Sequence, residues 1–292
     1  MSTPDATVGL VGAGNLGRAI GLNLLDRGWA VRTLDRSDER QRFLVDAGAT
    51  AATGPDLIDC RTICFVVPDD RAIREVLESA TTSPPLADGL GAQHTVVVIS
   101  TILPRAGQEL SAVIKRTGAG YVEAPVTGGP DRARTGELSV YLAGTPDDLD
   151  AAAPFLQAIG TEHHRLGDVG AAAATKLANQ LIMFAALGGI QEALRLTRRH
   201  GVSEDDLLSA LTGGTADTWV GRNWGFFDRI ARDYNAAGVP VDQRPWSKDL
   251  REVLDVADEL GESTPLARLL SETVADQIEQ HALATDDKAV TG

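Results

Sequence analysis

Thr7-Val8-Gly9-Leu10-Val11-Gly12-Ala13-Gly14-Asn15-Leu16-Gly17 decides the fold. An apolar run leads without interruption into Gly12, Gly14 and Gly17, and from Asn15 onward the apolar residues recur at helical spacing. Strand, glycine turn and helix in that order are the context in which this glycine spacing signifies dinucleotide binding. The first glycine permits the tight turn, the second lets a pyrophosphate approach the backbone, and the third lets the helix pack closely on the strand. The amides that open the helix then face the phosphates. Gly12, Gly14, Asn15, Leu16 and Gly17 are therefore the candidate pyrophosphate-binding residues. Asp35 ends the next apolar run, eighteen residues after Gly17, where a carboxylate accepts hydrogen bonds from the adenosine ribose and favours NAD. Arg36 follows it directly, and a guanidinium there can pair with a 2′-phosphate, so NADP stays open.

Outward from this turn the βαβ rhythm continues. Apolar runs at 7–11, 30–34, 62–67, 95–100 and 120–124 predict strands, and amphipathic stretches at 15–27, 37–47, 69–79 and 104–117 predict the helices between them. The fold class is α/β, an N-terminal Rossmann domain with a mostly parallel sheet over residues 1–167. Residues 139–144 read as another β-like run, 161–166 are expected to close that sheet, and 81–93 to form a loop. From 169 to 200, Leu177, Leu181, Phe184, Leu187, Ile190 and Leu194 mark one long interdomain helix. Helical patterns at 203–211, 219–236, 247–260 and 264–282 then predict an all-α second domain over 168–292, ending in a frayed tail from 284.

Composition narrows the function classes. With 27 Lys and Arg against 41 Asp and Glu, the net charge of −14 repels phosphate backbones and argues against nucleic acid or an anionic membrane as partner. An anionic small substrate then needs a local cradle of positive potential. The first residues do not read as a secretory signal, and the apolar stretch 181–190 is too short to cross a bilayer, so a cytoplasmic protein is expected. Cys60 and Cys64 are separated by three residues at the start of a predicted strand, which is not a metal or redox spacing, and they read as buried thiols. No metal site is expected.

Four motifs in order resemble the β-hydroxyacid dehydrogenase family, which includes 3-hydroxyisobutyrate dehydrogenase, tartronate semialdehyde reductase and 6-phosphogluconate dehydrogenase. They are the glycine turn, Glu123-Ala124-Pro125-Val126-Thr127-Gly128-Gly129, Lys176-Leu177-Ala178-Asn179-Gln180, and Lys248-Asp249-Leu250. The resemblance implies reversible oxidation of a small β-hydroxyacid carboxylate to its semialdehyde or ketone, an NAD or NADP cofactor, and a homo-oligomer, dimer or tetramer, supported by the helical domain.

By the same resemblance, Lys176 matches the general acid/base. Three and four residues on, Asn179 and Gln180 share its helical face and bind substrate. Thr127, Gly128 and Gly129 match the carboxylate-binding segment, with threonine where relatives carry serine. Val67, Pro68 and Thr101 match strand ends beside the cofactor, Lys248 a lysine that reaches it, and Asp249 a residue supporting the substrate site. Arg134 matches a family arginine, whereas Arg132 reads as a solvated loop residue. The tryptophans Trp219, Trp224 and Trp246 read as core or subunit contact, with the substrate pocket as the competing reading. An imine reductase and a catalytically silent dinucleotide-binding module are the alternatives. Lys176 speaks against the first, and Thr127, Lys176 and Lys248 together against the second.

Overall fold

The computed structural model describes residues 6–78 and 85–290. Residues 1–5, 79–84 and 291–292 lie outside that description, and with them the last residue of the predicted helix 69–79 and the first four of the predicted loop 81–93. Its parallel strands are β1 (Thr7–Val11), β2 (Ala30–Leu34), β3 (Thr50–Ala51), β4 (Thr62–Phe65), β5 (Thr95–Val98) and β6 (Gly120–Glu123), in the spatial order β3-β2-β1-β4-β5-β6. Between them run α1 (Asn15–Asp26), α2 (Asp38–Asp46), α3 (Asp70–Glu78), α4 (Leu86–Gly89) and α5 (Pro104–Arg116). The short helix α4 falls inside the stretch expected to be loop.

Strands β4 and β5 are buried throughout, as parallel strands covered on both faces must be. Alternate residues feed two cores. Leu10, Cys64, Val97 and Val122 pack with Ile20 and Leu24 of α1. Val11, Phe65, Val96 and Val98 pack with Ile73 and Leu77 of α3 and Leu110 and Ile114 of α5. Cys60 and Cys64 are buried thiols, and burial pushes both upward, Cys60 to about 11.

The strand order reverses between β1 and β4, which opens a crevice above their carboxyl ends. Two glycines close this junction from below. Gly12 has φ +100°, and a Cβ there would overlap the Val66 carbonyl oxygen; a Cβ on Gly17 would overlap the carbonyl oxygen of Gly12. No side chain can enter either position without separating α1 from the turn.

After β6 the chain departs from expectation. Residues 161–166 do not close the main sheet, and the β-like run at 139–144 is a strand beside them. They belong to a separate sheet in which β7 (Val126–Thr127) pairs antiparallel with β8 (Leu138–Leu142), and β8 pairs parallel with β9 (Gly160–Arg165). The chain turns at Pro125 so that Val126–Thr127 faces β8, and β9, polar and exposed beyond Gly160, forms an edge. Among the described residues a single bridge, Glu123 to Ala143, links the two sheets. The segment after the glycine pair is helix α6 (Gly129–Thr135), and α7 (Pro146–Ile159), capped by Thr145, joins β8 to β9.

Helix α8 (Ala171–Arg198) follows, and chain contacts divide after Lys176, within its second turn. The sequence boundary at 167 thus precedes this division by nine residues. At 28 residues α8 is long and apolar enough to cross a membrane by length and composition, because the apolar stretch 181–190 is only part of it. Its face of Phe184, Leu187, Ile190 and Leu194 is buried against Phe227, Trp246, Leu250, Val274 and Ile278. The other helices are α9 (Glu204–Leu211), α10 (Trp219–Arg222), α11 (Phe226–Ala236), α12 (Pro245–Leu260) and α13 (Pro265–Val290). The predicted helix 219–236 is broken because Gly225 adopts φ +86°. The expected frayed tail is instead a continuation of α13 to Val290.

Gly17→Ala should lower the unfolding free energy by about 2–3 kcal/mol, the scale of an overpacked core, and weaken dinucleotide binding. Urea denaturation and dinucleotide fluorescence titration measure both; an unchanged midpoint and affinity would contradict the packing role given to Gly17.

Candidate active site

The parallel sheet delivers its loops to one edge. Gly12 to Gly17 follow β1, Asp35 and Arg36 follow β2, Val67 and Pro68 follow β4, and Thr101 follows β5. Asp35 does more than end a strand. Its Oδ2 accepts from the Ala13 amide at 2.7 Å and its Oδ1 from the Ser37 amide at 2.8 Å, so the carboxylate ties β2 to the glycine turn. Lone pairs on both oxygens remain for ribose hydroxyls. Arg36 is exposed. Ser100 Oγ accepts from the Val67 amide at 2.9 Å and donates to the Phe65 carbonyl at 3.4 Å, joining the exits of β4 and β5. Gly14 precedes helix α1 at its cap position and brings no capping side chain, and a Cβ there would meet nothing within 4 Å. An uncapped helix start approachable down to the backbone fits a dinucleotide pyrophosphate.

Thr127 lies in β7 opposite Ser139, followed by Gly128 at φ +125° and Gly129 at φ +72°. Arg132 is not a solvated loop residue. It is half-buried on α6, with its stem so near Gly128 that a Cβ on that glycine would lie 3.0 Å from Arg132 Cδ. Arg134 is exposed and pairs with Asp26 at 2.6 Å.

Lys176, the sixth residue of α8, is buried, only 9% exposed. The start of its helix is held by a residue whose role the sequence reading missed. Glu123, the last residue of β6, is buried, and its Oε2 accepts from the amides of Gly170 at 2.9 Å and Ala173 at 3.4 Å. Its Oε1 has no hydrogen-bond partner among the described residues. Burial raises the Glu123 carboxyl from 4.5 to about 7, against the lowering effect of the amides of Gly170, Ala173 and Ala172. The signal available in sequence was a lone carboxylate in an otherwise apolar strand.

In the helical unit, Gln180 Nε2 donates to Asp249 Oδ2 at 2.6 Å, and Asn179 Nδ2 donates to Gln180 Oε1 at 3.2 Å. Lys248 Nζ lies 3.3 Å from Asp249 Oδ1 and 2.9 Å from Glu252 Oε2. Burial alone would lower the Lys248 ammonium, but the carboxylates of Asp249 and Glu252 outweigh it and hold the pKa above its ordinary value. Glu252 was also missed, although its position four residues after Lys248 on a helix is a legible pairing signal. The tryptophans separate by environment. Trp246 is core, with its ring edge-on to Phe227 and Tyr234; Trp224 donates to Glu204 Oε1 at 2.9 Å and stacks edge-on with His281; Trp219 is exposed. Asp228 accepts from His281 Nδ1 at 2.8 Å, and this hydrogen bond, opposed by partial burial and aided by the charges of Asp228 and Glu204, raises the histidine's pKa. The acid–histidine–acid cluster left no sequence signal, since its members are 24 and 53 residues apart.

Residues 7–170 match the family model described as the NAD binding domain of 6-phosphogluconate dehydrogenase. The chain belongs to the β-hydroxyacid dehydrogenase family. Residues 170–291 match a second model, described as NAD-binding of NADP-dependent 3-hydroxyisobutyrate dehydrogenase. Among curated relatives of this dehydrogenase, glyoxylate/succinic semialdehyde reductase 1 of Arabidopsis thaliana is 28% identical, over 91% of this chain and 90% of the relative. The 3-sulfolactaldehyde reductase of Escherichia coli is 28% identical over 89% and 86%. The crystal structure of a 3-hydroxyisobutyrate dehydrogenase from Salmonella typhimurium superposes with a TM-score of 0.77 at 25% identity, covering 93% of this chain and 94% of that one. This dehydrogenase is therefore a nicotinamide-dependent oxidoreductase of the CH–OH class.

Glu123 gives the dehydrogenase an unusual pH dependence. Its folded carboxyl holds a proton up to about pH 7, whereas the unfolded one releases it near 4.5, so stability falls as pH rises through that window and levels off above it. A shift of this size corresponds to about 3 kcal/mol. Glu123→Gln cannot ionise. Its melting temperature relative to wild type should rise between pH 5 and pH 8, whereas a constant difference across that range would contradict the assignment.

Proposed function

We propose that this dehydrogenase reversibly oxidises a small β-hydroxyacid, with Lys176 as the general acid/base. The observation that carries the reading is a buried lysine on the second turn of α8, within the string Lys176-Leu177-Ala178-Asn179-Gln180. A lysine seldom gives up hydration on a helix without a task. When bound, the nicotinamide accepts or supplies the hydride. In reduction the Lys176 ammonium donates to the carbonyl oxygen, stabilises the charge that develops there and delivers the proton. In oxidation its neutral amine takes that proton from the hydroxyl.

The substrate carboxylate is held by the Thr127 hydroxyl and the amides of Gly128 and Gly129, two positive-φ glycines in succession whose backbone has no side chain of its own to keep an anion away. A chain of net charge −14 needs such a local cradle to hold an anion. Asn179 and Gln180 share a helical face with Lys176 and bind the substrate's polar groups; Asp249 fixes the Gln180 amide, and Lys248 reaches the cofactor. NAD is the preferred form, because the fixed Asp35 carboxylate suits ribose hydroxyls and repels a 2′-phosphate.

Oxidation of 3-hydroxyisobutyrate, D-glycerate, L-serine and 3-hydroxypropionate with each dinucleotide tests this. One of these acids should turn over, with higher kcat/KM for NAD than for NADP. Lys176→Ala should then lose about 10²- to 10⁴-fold in kcat while keeping dinucleotide affinity; unchanged turnover removes Lys176 from the mechanism.

A further inference from the structure

Helix α8 cannot cap itself. The residue before Ala171 is Gly170, at φ +105°, and a side chain there would crowd Gln108 Nε2, 3.1 Å from a Cβ. The cap comes from 47 residues upstream, as the Glu123 carboxylate reaches the amides of Gly170 and Ala173. A buried acceptor on otherwise orphaned amides fixes where a helix begins and how it is rotated. Glu123 is itself pinned. Its main chain exchanges hydrogen bonds with Ala143 at 2.9 and 3.1 Å, and α5 passes so close at Gly107 that a Cβ there would overlap Glu123 Oε1.

We propose that Glu123 is the positioning residue for Lys176: it locks the first turn of α8 to the end of β6 and so sets the position from which the lysine acts. The inference rests on the acid/base reading of Lys176. Lys176 is three residues beyond Ala173, about 4.5 Å further along the helix axis, so a slip or rotation of the first turn carries the lysine with it. The same strand exit continues through Ala124 and Pro125 to Thr127, Gly128 and Gly129. One side chain thus references the proton-transfer helix to the strand that leads into the proposed carboxylate cradle.

Charge gives the contact a second effect. An ionised Glu123 puts a negative charge on the amide of Ala173, about one helical turn before Lys176, and a negative charge favours the ammonium form of a lysine. Tyr121, on the same strand, is the titratable neighbour that feels Glu123, and burial followed by that carboxylate keeps its hydroxyl neutral. From α5 come Gly107 and Gln108, while Arg105 and Glu109 pair with each other in solvent. Strand β5 brings only threonine and valines, and the Lys115–Asp148 pair sits toward the opposite end of β6, where Asp148 abuts Gly120. On α8 the first titratable residue is Lys176.

The test uses the full chain with NAD and the best hydroxyacid, comparing wild type, Glu123→Gln, Glu123→Asp and Lys176→Ala in pH profiles of kcat, with dinucleotide KM and thermal unfolding measured alongside. Glu123→Asp keeps the charge but withdraws it by one methylene, and kcat should fall about 10- to 100-fold, the scale of an ångström-level misplacement, with dinucleotide KM within about twofold. Glu123→Gln keeps an acceptor but loses the charge, and the acid limb of the oxidation profile should move down by a few tenths to about one pH unit. If both variants match wild type, or lose kcat only in proportion to the folded fraction with the limb unmoved, Glu123 is merely structural and the proposal is overturned. Lys176→Ala separates the two levels. If it abolishes turnover while the Glu123 variants behave as wild type, only this inference falls; if it keeps turnover, the lysine reading falls and takes this inference with it.

Discussion

The contact between Gly17 and the carbonyl of Gly12 is the constraint on which the dinucleotide domain depends. It seats the start of α1 directly on the end of β1, so the helix amides are delivered to the point where the strand order reverses between β1 and β4. Any side chain would lever the helix away. Asp35 then braces the turn from β2, and Ser100 braces the exits of β4 and β5 against each other. The cofactor edge is therefore preorganised by hydrogen bonds between successive strand exits. Residues that bind a dinucleotide through backbone amides need such bracing, because those amides move only as the whole turn moves.

Much of this was readable in sequence because strand and helix periodicities differ sharply in a parallel sheet. The runs ending at Val11, Leu34 and Phe65 are short and apolar, and the helices between them have one buried stripe, so β1, β2 and β4 emerge within a residue or two of expectation. The second sheet was not readable as such. Val126–Thr127 is too short to announce a strand, and the polar run Thr161-Glu162-His163-His164-Arg165 gains its strand character only from pairing with β8. Helix α7 was hidden by Pro154 in its interior and by a run of alanines and aspartates with little periodic contrast. The break between α10 and α11 turns on one backbone angle at Gly225.

The proposed site residues were legible as motif members, but their couplings were not. Gln180, Asp249, Lys248 and Glu252 form one hydrogen-bonded chain in which two carboxylates hold an ammonium and orient an amide. A glutamine at position 180 spans to Asp249 by virtue of its length, which a motif comparison treats only as a departure. Glu123 stands first in its motif, yet its side chain serves a helix that starts 48 residues later. Long-range partners of this kind are set by the tertiary path of the chain, and no local pattern encodes them.

The most direct test of Lys176 as the proton-transfer group is a crystal structure of the protein with a dinucleotide and a β-hydroxyacid bound together. Pyrophosphate oxygens should lie on the amides opening α1, and Lys176 Nζ within about 3 Å of the substrate hydroxyl. A substrate hydroxyl held by another group, with Lys176 directed elsewhere, would contradict that role.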